Sequence, residues 1–170
     1  MYLKILFLDS SAILSWFLKD ENNNMQDGGQ IIMDIHNRQT SIQCSLNISK
    51  TVYDEALKIL QRKLNRKKIN IAKYNTSLSL LNDFLLIDKN QKDPEKMEQW
   101  RKALFIKYPK LEERINSQDS HILNEFFSYL EGFAGASHPI LVSCDNLMNE
   151  IANLEKYKIF NPRKQTLEDL

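Results

Sequence analysis

Leu3-Lys4-Ile5-Leu6-Phe7-Leu8-Asp9-Ser10-Ser11 opens the chain with an apolar run, broken only by Lys4, that ends on an aspartate. A run without polar alternation is the pattern of a strand covered on both faces, so residues 3–8 predict a central strand of a parallel sheet. Ser10 to Leu18 follows as a helix, with Ile13, Leu14, Phe17 and Leu18 on one stripe. Asp9 therefore stands where a strand hands over to a helix. In an open α/β sheet, ligands bind outside the carboxyl ends of the strands, where the next helices begin.

Working outward, Asp20 to Gly29 carries Asn22-Asn23-Asn24 and Gly28-Gly29 and predicts a loop. A short helix, Gln30 to Asn37, leads to a second strand at about Ser41 to Leu46. From Ser49 a long helix is predicted from Val52, Ala56, Ile59, Leu60 and Leu64 at helical spacing. It ends in a basic cluster, Arg62, Lys63, Arg66, Lys67 and Lys68. A second helix is expected over about Ile71 to Leu86, a polar loop over Asp88 to Pro94, and a third helix from Pro94 to Lys107, stopped by Pro109. Asn116 to Asp119 starts a helix with Ile122, Leu123, Phe126, Phe127 and Leu130 as its stripe. Gly132 to Pro139 is a turn, Ile140 to Ser143 a strand, Asn146 to Glu155 a helix, and Lys158 to Phe160 a short last strand before Asn161-Pro162.

Strands alternating with helices predict an α/β fold, a three-layer α/β/α sandwich around a central parallel sheet. Residues 1–170 form a single domain on this reading, with a mainly helical lobe at about residues 50–114 beside the mouth of the sheet. The chain is long enough to bury a core. Its formal charge of +1 excludes a global basic field, so any basic surface is local. Cys44 and Cys144 are too few for a disulfide framework and lack zinc-ligand spacing, which makes them small core residues of a reducing compartment. No apolar run approaches the roughly 20 residues of a membrane span, and residues 1–8 lack the features of a signal peptide. The expected location is the cytoplasm, with no membrane partner.

Four acids, Asp9, Glu55, Asp119 and Asp145, fall where four separate segments turn. Asp9, Asp119 and Asp145 each precede a helix, where aspartate commonly caps free N–H groups. Glu55 lies three residues after Val52 and four before Ile59, on the apolar stripe, and Asp119 precedes Ile122 and Leu123 by three and four. Asp54, its neighbour and rival, falls off that stripe. Two carboxylates about 4 Å apart repel by roughly 4 kcal/mol at an effective dielectric near 20, so several in one cup call for a cation. All-oxygen ligation suits Mg²⁺ or Mn²⁺ rather than zinc, and His36, His121 and His138 are too scattered to change that.

Phe7-Leu8-Asp9-Ser10-Ser11 resembles the opening motif of a PIN domain, a strand ending in Asp with Ser or Thr two positions on. Ile48-Ser49 with Val52 and Glu55 resembles that family's second motif, Asp119-Ser120-His121-Ile122-Leu123 its third, and Leu141 to Met148 its fourth. Ile159-Phe160-Asn161-Pro162 fits its closing strand. The motifs follow in the family's order across most of the chain. Met148 stands where an aromatic is usual, and Asn124, Glu125, Phe126 and Phe127 are bulkier than the family's small residues there. The stretch from Asp88 to Arg114 is also longer than in the smallest members.

The resemblance implies a PIN-like, Rossmannoid sheet and a metal-dependent nuclease, most often an endoribonuclease, hydrolysing phosphodiester bonds. Asp9, Glu55, Asp119 and Asp145 are then both catalytic and metal-binding, with Mg²⁺ or Mn²⁺ as cofactor. Ser11 is a candidate donor to the scissile phosphate, or a helix cap. Asn146 and Asn149 are candidates for an outer contact. Arg62, Lys63, Arg66 and Lys67 are candidate phosphate contacts, or solvated surface. Tyr53, Tyr74 and Trp100 are candidate stacking platforms, or core. Expected partners are RNA, an antitoxin protein if the chain is the toxin of a toxin–antitoxin pair, and a second copy in a homodimer. The rival readings are a non-catalytic PIN-fold scaffold and a nucleic-acid or protein binding module. Aspartyl phosphotransfer of the haloacid-dehalogenase kind needs a second acid where Ser11 stands, and a dinucleotide fold needs a Gly-rich turn that Asp9-Ser10-Ser11-Ala12 does not provide.

Overall fold

The computed structural model describes residues 3–19, 25–87, 94–131 and 139–170. The opening run forms β1 (Lys4–Leu8), and its last four residues are buried. Asp9 caps α1 (Ser10–Phe17) by accepting the Ala12 amide. The chain continues through α2 (Gly29–Asn37), α3 (Gln39–Ile42), β2 (Cys44–Ser49), α4 (Lys50–Asn65), α5 (Ile71–Asn82) and β3 (Leu85–Ile87). It closes with α6 (Pro94–Lys107), a 3-10 turn at Pro109–Leu111, α7 (Ser117–Glu131), β4 (Ile140–Val142), α8 (Asn146–Leu154) and β5 (Ile159–Phe160).

The five strands are all parallel, in the order β3-β2-β1-β4-β5. Leu6 is flanked by Leu46 on β2 and Ile140 on β4, so the central strand is the opening run. Helices α1, α2, α4 and α5 pack on one another, and α6, α7 and α8 form a second group. With the sheet they make the three-layer α/β/α sandwich. Leu6, Phe7 and Leu8 are fully buried, and the Phe7 ring meets Phe126 of α7 at 5.4 Å. Each such side chain contributes about 1.5–3 kcal/mol by leaving water. Sequential strands turn one way from β1 to β3 and the other way from β4 to β5. The order therefore reverses between β1 and β4, and the crevice above those two strand ends is the sheet's switch point.

Two expectations about elements are corrected. The second strand begins at Cys44 and runs to Ser49, not from Ser41 to Leu46. Gln39–Ile42 is instead a single helical turn, ended by Gln43 in the left-handed region at φ 51°. The helix expected over residues 71–86 stops at Asn82, and Leu85–Ile87 pairs with Asn47–Ser49 as an edge strand. Residues 50–114 are therefore not helical throughout, since β3 ties their middle into the sheet. Residues 20–24 of the loop expected at 20–29, residues 88–93 of the loop expected at 88–94 and residues 132–138 of the turn expected at 132–139 lie outside the described residues. Among the described residues, no helix is long and apolar enough to cross a membrane.

Candidate active site

Asp9 and Asp145 lie at the switch point, at the ends of the two strands that flank it. Asp9 is 3% exposed. Its Oδ1 accepts the Ala12 amide at 2.9 Å and the Ser11 hydroxyl at 2.8 Å, and its Oδ2 accepts the Ser143 hydroxyl at 2.7 Å. Burial outweighs these three donors, and with a further push from Asp145 it drives the Asp9 pKa up to about 6. Ser143 Oγ in turn accepts the Asp145 amide at 2.9 Å, so one hydroxyl joins the two acids. Asp145 caps α8 with Oδ1 alone, accepting from Leu147 and Met148 at 2.7 and 3.0 Å. Its Oδ2 accepts no hydrogen bond among the described residues.

Asp119 comes from the first turn of α7 and Glu55 from the second turn of α4. Capping of α7 is done by Asn116, whose Oδ1 accepts the amides of Gln118 and Asp119. Asn116 Nδ2 also donates to Asp119 Oδ2 at 2.6 Å, which orients the acid without neutralising it. Burial, then the charges of Asp145 and Glu55, raises the Asp119 pKa to about 6. Glu55 is half-buried, and its Oε2 is fully buried with no hydrogen-bond partner among the described residues. It borders a cleft of about 260 Å³ between α4 and α7, shared with Thr51, Asp54, Lys58, Ser117 and His121. Asp54, by contrast, is exposed and ion-paired with Lys50.

The four acids thus form a coupled series. Asp145 raises the proton affinity of both Asp9 and Asp119, and Glu55 that of Asp119. The coupling acts through charge: among the described residues no three His, Cys, Asp or Glu side chains stand in a ligating group. The donor set is nevertheless chemically that of a hard cation. It is all oxygen, it includes a buried carboxylate oxygen without a donor, and its ionised forms repel.

Other expected residues are engaged elsewhere. Ser11 donates its proton to Asp9 and accepts the Cys144 amide at 2.9 Å, so it reaches a phosphate only by giving up Asp9. Asn149 donates to the Ser143 carbonyl at 2.9 Å and steadies the end of β4, while its Oδ1 is buried without a partner. The Tyr53 hydroxyl donates to Asn82, Tyr74 is partly buried against the core, and Trp100 packs on Phe127 at 5.6 Å. Arg62, Lys63, Arg66 and Lys67 stand at the far end of α4, roughly 10–18 Å along the helix axis from Glu55. His36 packs against Trp16 and Phe84, and His138 lies outside the described residues.

Sequence reasoning missed Glu125. Its Oε1 accepts the Thr51 hydroxyl at 2.6 Å across the α4–α7 junction, and its Oε2 is buried without a partner among the described residues. The only signal was an acid set among Asn124, Phe126 and Phe127 in a bulky stretch.

No family profile and no curated protein of known function is similar to the chain.

Proposed function

We propose that the chain is a PIN-like nuclease, dependent on Mg²⁺ or Mn²⁺, that hydrolyses phosphodiester bonds in RNA. One observation carries this reading: acids from four distant segments are coupled by charge beside the switch point of a parallel sheet. Asp9, Glu55, Asp119 and Asp145 would hold the cation, which supplies Lewis-acid stabilisation of charge on the phosphoryl oxygens. The chain's own contribution is positioning. Ser143 joins Asp9 to Asp145, Asn116 orients Asp119, and Asp145 keeps Oδ2 free while capping α8 with Oδ1.

The test is cleavage of a broad RNA panel by purified protein. Activity should vanish with EDTA, return with Mn²⁺ or Mg²⁺, and fall by orders of magnitude in Asp145→Asn. Binding of Mn²⁺ should also raise the unfolding temperature of the wild type and much less that of Asp119→Asn, since it relieves repulsion among the acids. A folded protein whose stability rises with Mn²⁺ yet leaves every RNA and DNA intact would overturn the nuclease reading.

A second reading has its own support. Both oxygens of Asp9 already accept hydrogen bonds, from Ser11, Ala12 and Ser143, which favours a non-catalytic scaffold. That reading expects no stabilisation by divalent ions. The toxin role rests on the family resemblance, and a small neighbouring-gene product that blocks cleavage would assign it.

A further inference from the structure

Between Ala56 and Asn82 the chain has seven cations and no acid, although its overall formal charge is only +1. Lys58 borders the cleft beside Glu55. Arg62 and Arg66 follow it at successive four-residue steps, and all three are exposed. Residues so spaced lie on one helix face, so the cations form a track leading out of the cleft. Among the described residues none of the seven is ion-paired.

The track ends in an uncommon turn. Lys68 donates its amide to the Lys63 carbonyl at 2.9 Å and Lys67 donates to Leu64 at 2.8 Å, the paired bonds of a Schellman cap. Lys67 occupies the left-handed position of that cap at φ 56°, where glycine has no steric cost. A lysine there sacrifices stability and adds charge. Attraction of cations to the helix C-terminus accounts for charge in the last turn, but not for Lys58 two turns earlier. Lys73, half-buried in the first turn of α5, has its pKa pulled down by burial and then by Lys19, a like-charged pair that an anion would relieve. A lipid surface is a poorer fit. The apolar face of α4, Val52, Ala56 and Leu60, is fully buried in the core and has nothing to insert.

We infer that the cleft takes an extended RNA strand, which leaves it along α4 with its phosphates held by Lys58, Arg62, Arg66 and the Lys67–Lys68 turn. This rests on the nuclease reading for the chemistry at the cleft, but binding along the track does not require turnover. From Lys58 to Lys68 is ~15 Å, or roughly four to five steps of a stacked strand at about 3.4 Å each.

The experiment measures fluorescence anisotropy of labelled oligoribonucleotides, about two and about twelve nucleotides long, on the full chain in EDTA, where nothing is cleaved. The longer strand should bind about tenfold more tightly or better. The triple variant Lys58→Ala, Arg62→Ala, Arg66→Ala should lose that advantage, and its dependence of log K on log salt should be shallower by about 2, roughly 0.7 for each phosphate that is no longer neutralised. Lys67→Gly should raise the unfolding midpoint and weaken binding of the longer strand, whereas a purely structural Lys67 would change only the midpoint. Equal affinity for both lengths, unchanged binding by the folded triple variant, or preference for phosphatidylserine vesicles over RNA would each overturn the track. Track-dependent binding without cleavage in Mn²⁺ would keep this inference and remove the nuclease reading. Cleavage with track-independent binding would do the reverse.

Discussion

At the scale of single residues, Asp9 and Asp119 have ionised forms that the fold disfavours. Both have pKa values raised to about 6 from an unfolded value near 3.8. Between those two values the unfolded chain has lost protons that the native state keeps, so ion-free stability falls as pH rises from about 4 to about 6. Surface acids such as Glu150, held low by its hydrogen bonds to Arg114, act in the opposite sense. The clean measurement is therefore a difference in denaturant midpoint between the wild type and Asp9→Asn, followed across pH in EDTA. The variant should lack part of the decline and be more stable at neutral pH by about 1–3 kcal/mol. An unchanged pH profile would mean that Asp9 is an ordinary cap. The sequence made the four acids legible because each interrupts an apolar pattern. It could not apportion capping: Asp9 and Asp145 do cap their helices, but Asn116 relieves Asp119 of that task. Ser143 as the link between Asp9 and Asp145 depends on β1 and β4 being neighbours, a contact that no local spacing encodes.

At the scale of elements, α1 and α4 were readable because period and caps agree, β1 from its unbroken apolar run and α6 from the prolines that bound it, and Ser49, accepting the Val52 amide, starts α4 where expected. Leu80 to Ile87 was not. Its apolar residues fit a helix and a strand equally, and pairing with β2 decides between them. The α1–α2 packing gives a sharper test. A Cβ on Gly29 would lie 2.2 Å from the Ser15 carbonyl oxygen, a backbone atom that cannot turn aside. Gly29→Ala should destabilise the protein by about 1–3 kcal/mol, the usual range for overpacking, through displacement of α2. Chemical denaturation would measure it, and a loss near zero would mean that the two helices slide apart freely.

For the whole molecule, the sandwich follows from alternating elements and the all-parallel sheet. The mainly helical stretch at residues 50–114 is joined to that sheet, because β3 lies inside it and α4 packs on α1 and meets α7. Folding of residues 50–114 is accordingly tied to the sheet. Unfolding followed by far-ultraviolet circular dichroism and by Trp16 and Trp100 fluorescence should give coincident curves. Trp16 packs against Phe17 of α1 and Trp100 against Phe127 of α7, so the two report on opposite helical layers. A resolved early transition confined to Trp100 would restore an independent lobe.

Cys144 precedes Asp145 at the switch point, fully buried, with its amide held by Ser11, its carbonyl by Arg163 and its thiol turned to the Asp27 carbonyl. Burial also raises its pKa, which keeps the thiol protonated and inert while its surroundings stay folded. Its rate of modification by a small alkylating reagent is therefore a clock for local opening. Ions or nucleic acid that steady the end of β4 should slow that clock, while Cys44, at the other end of the sheet on β2, keeps its own time.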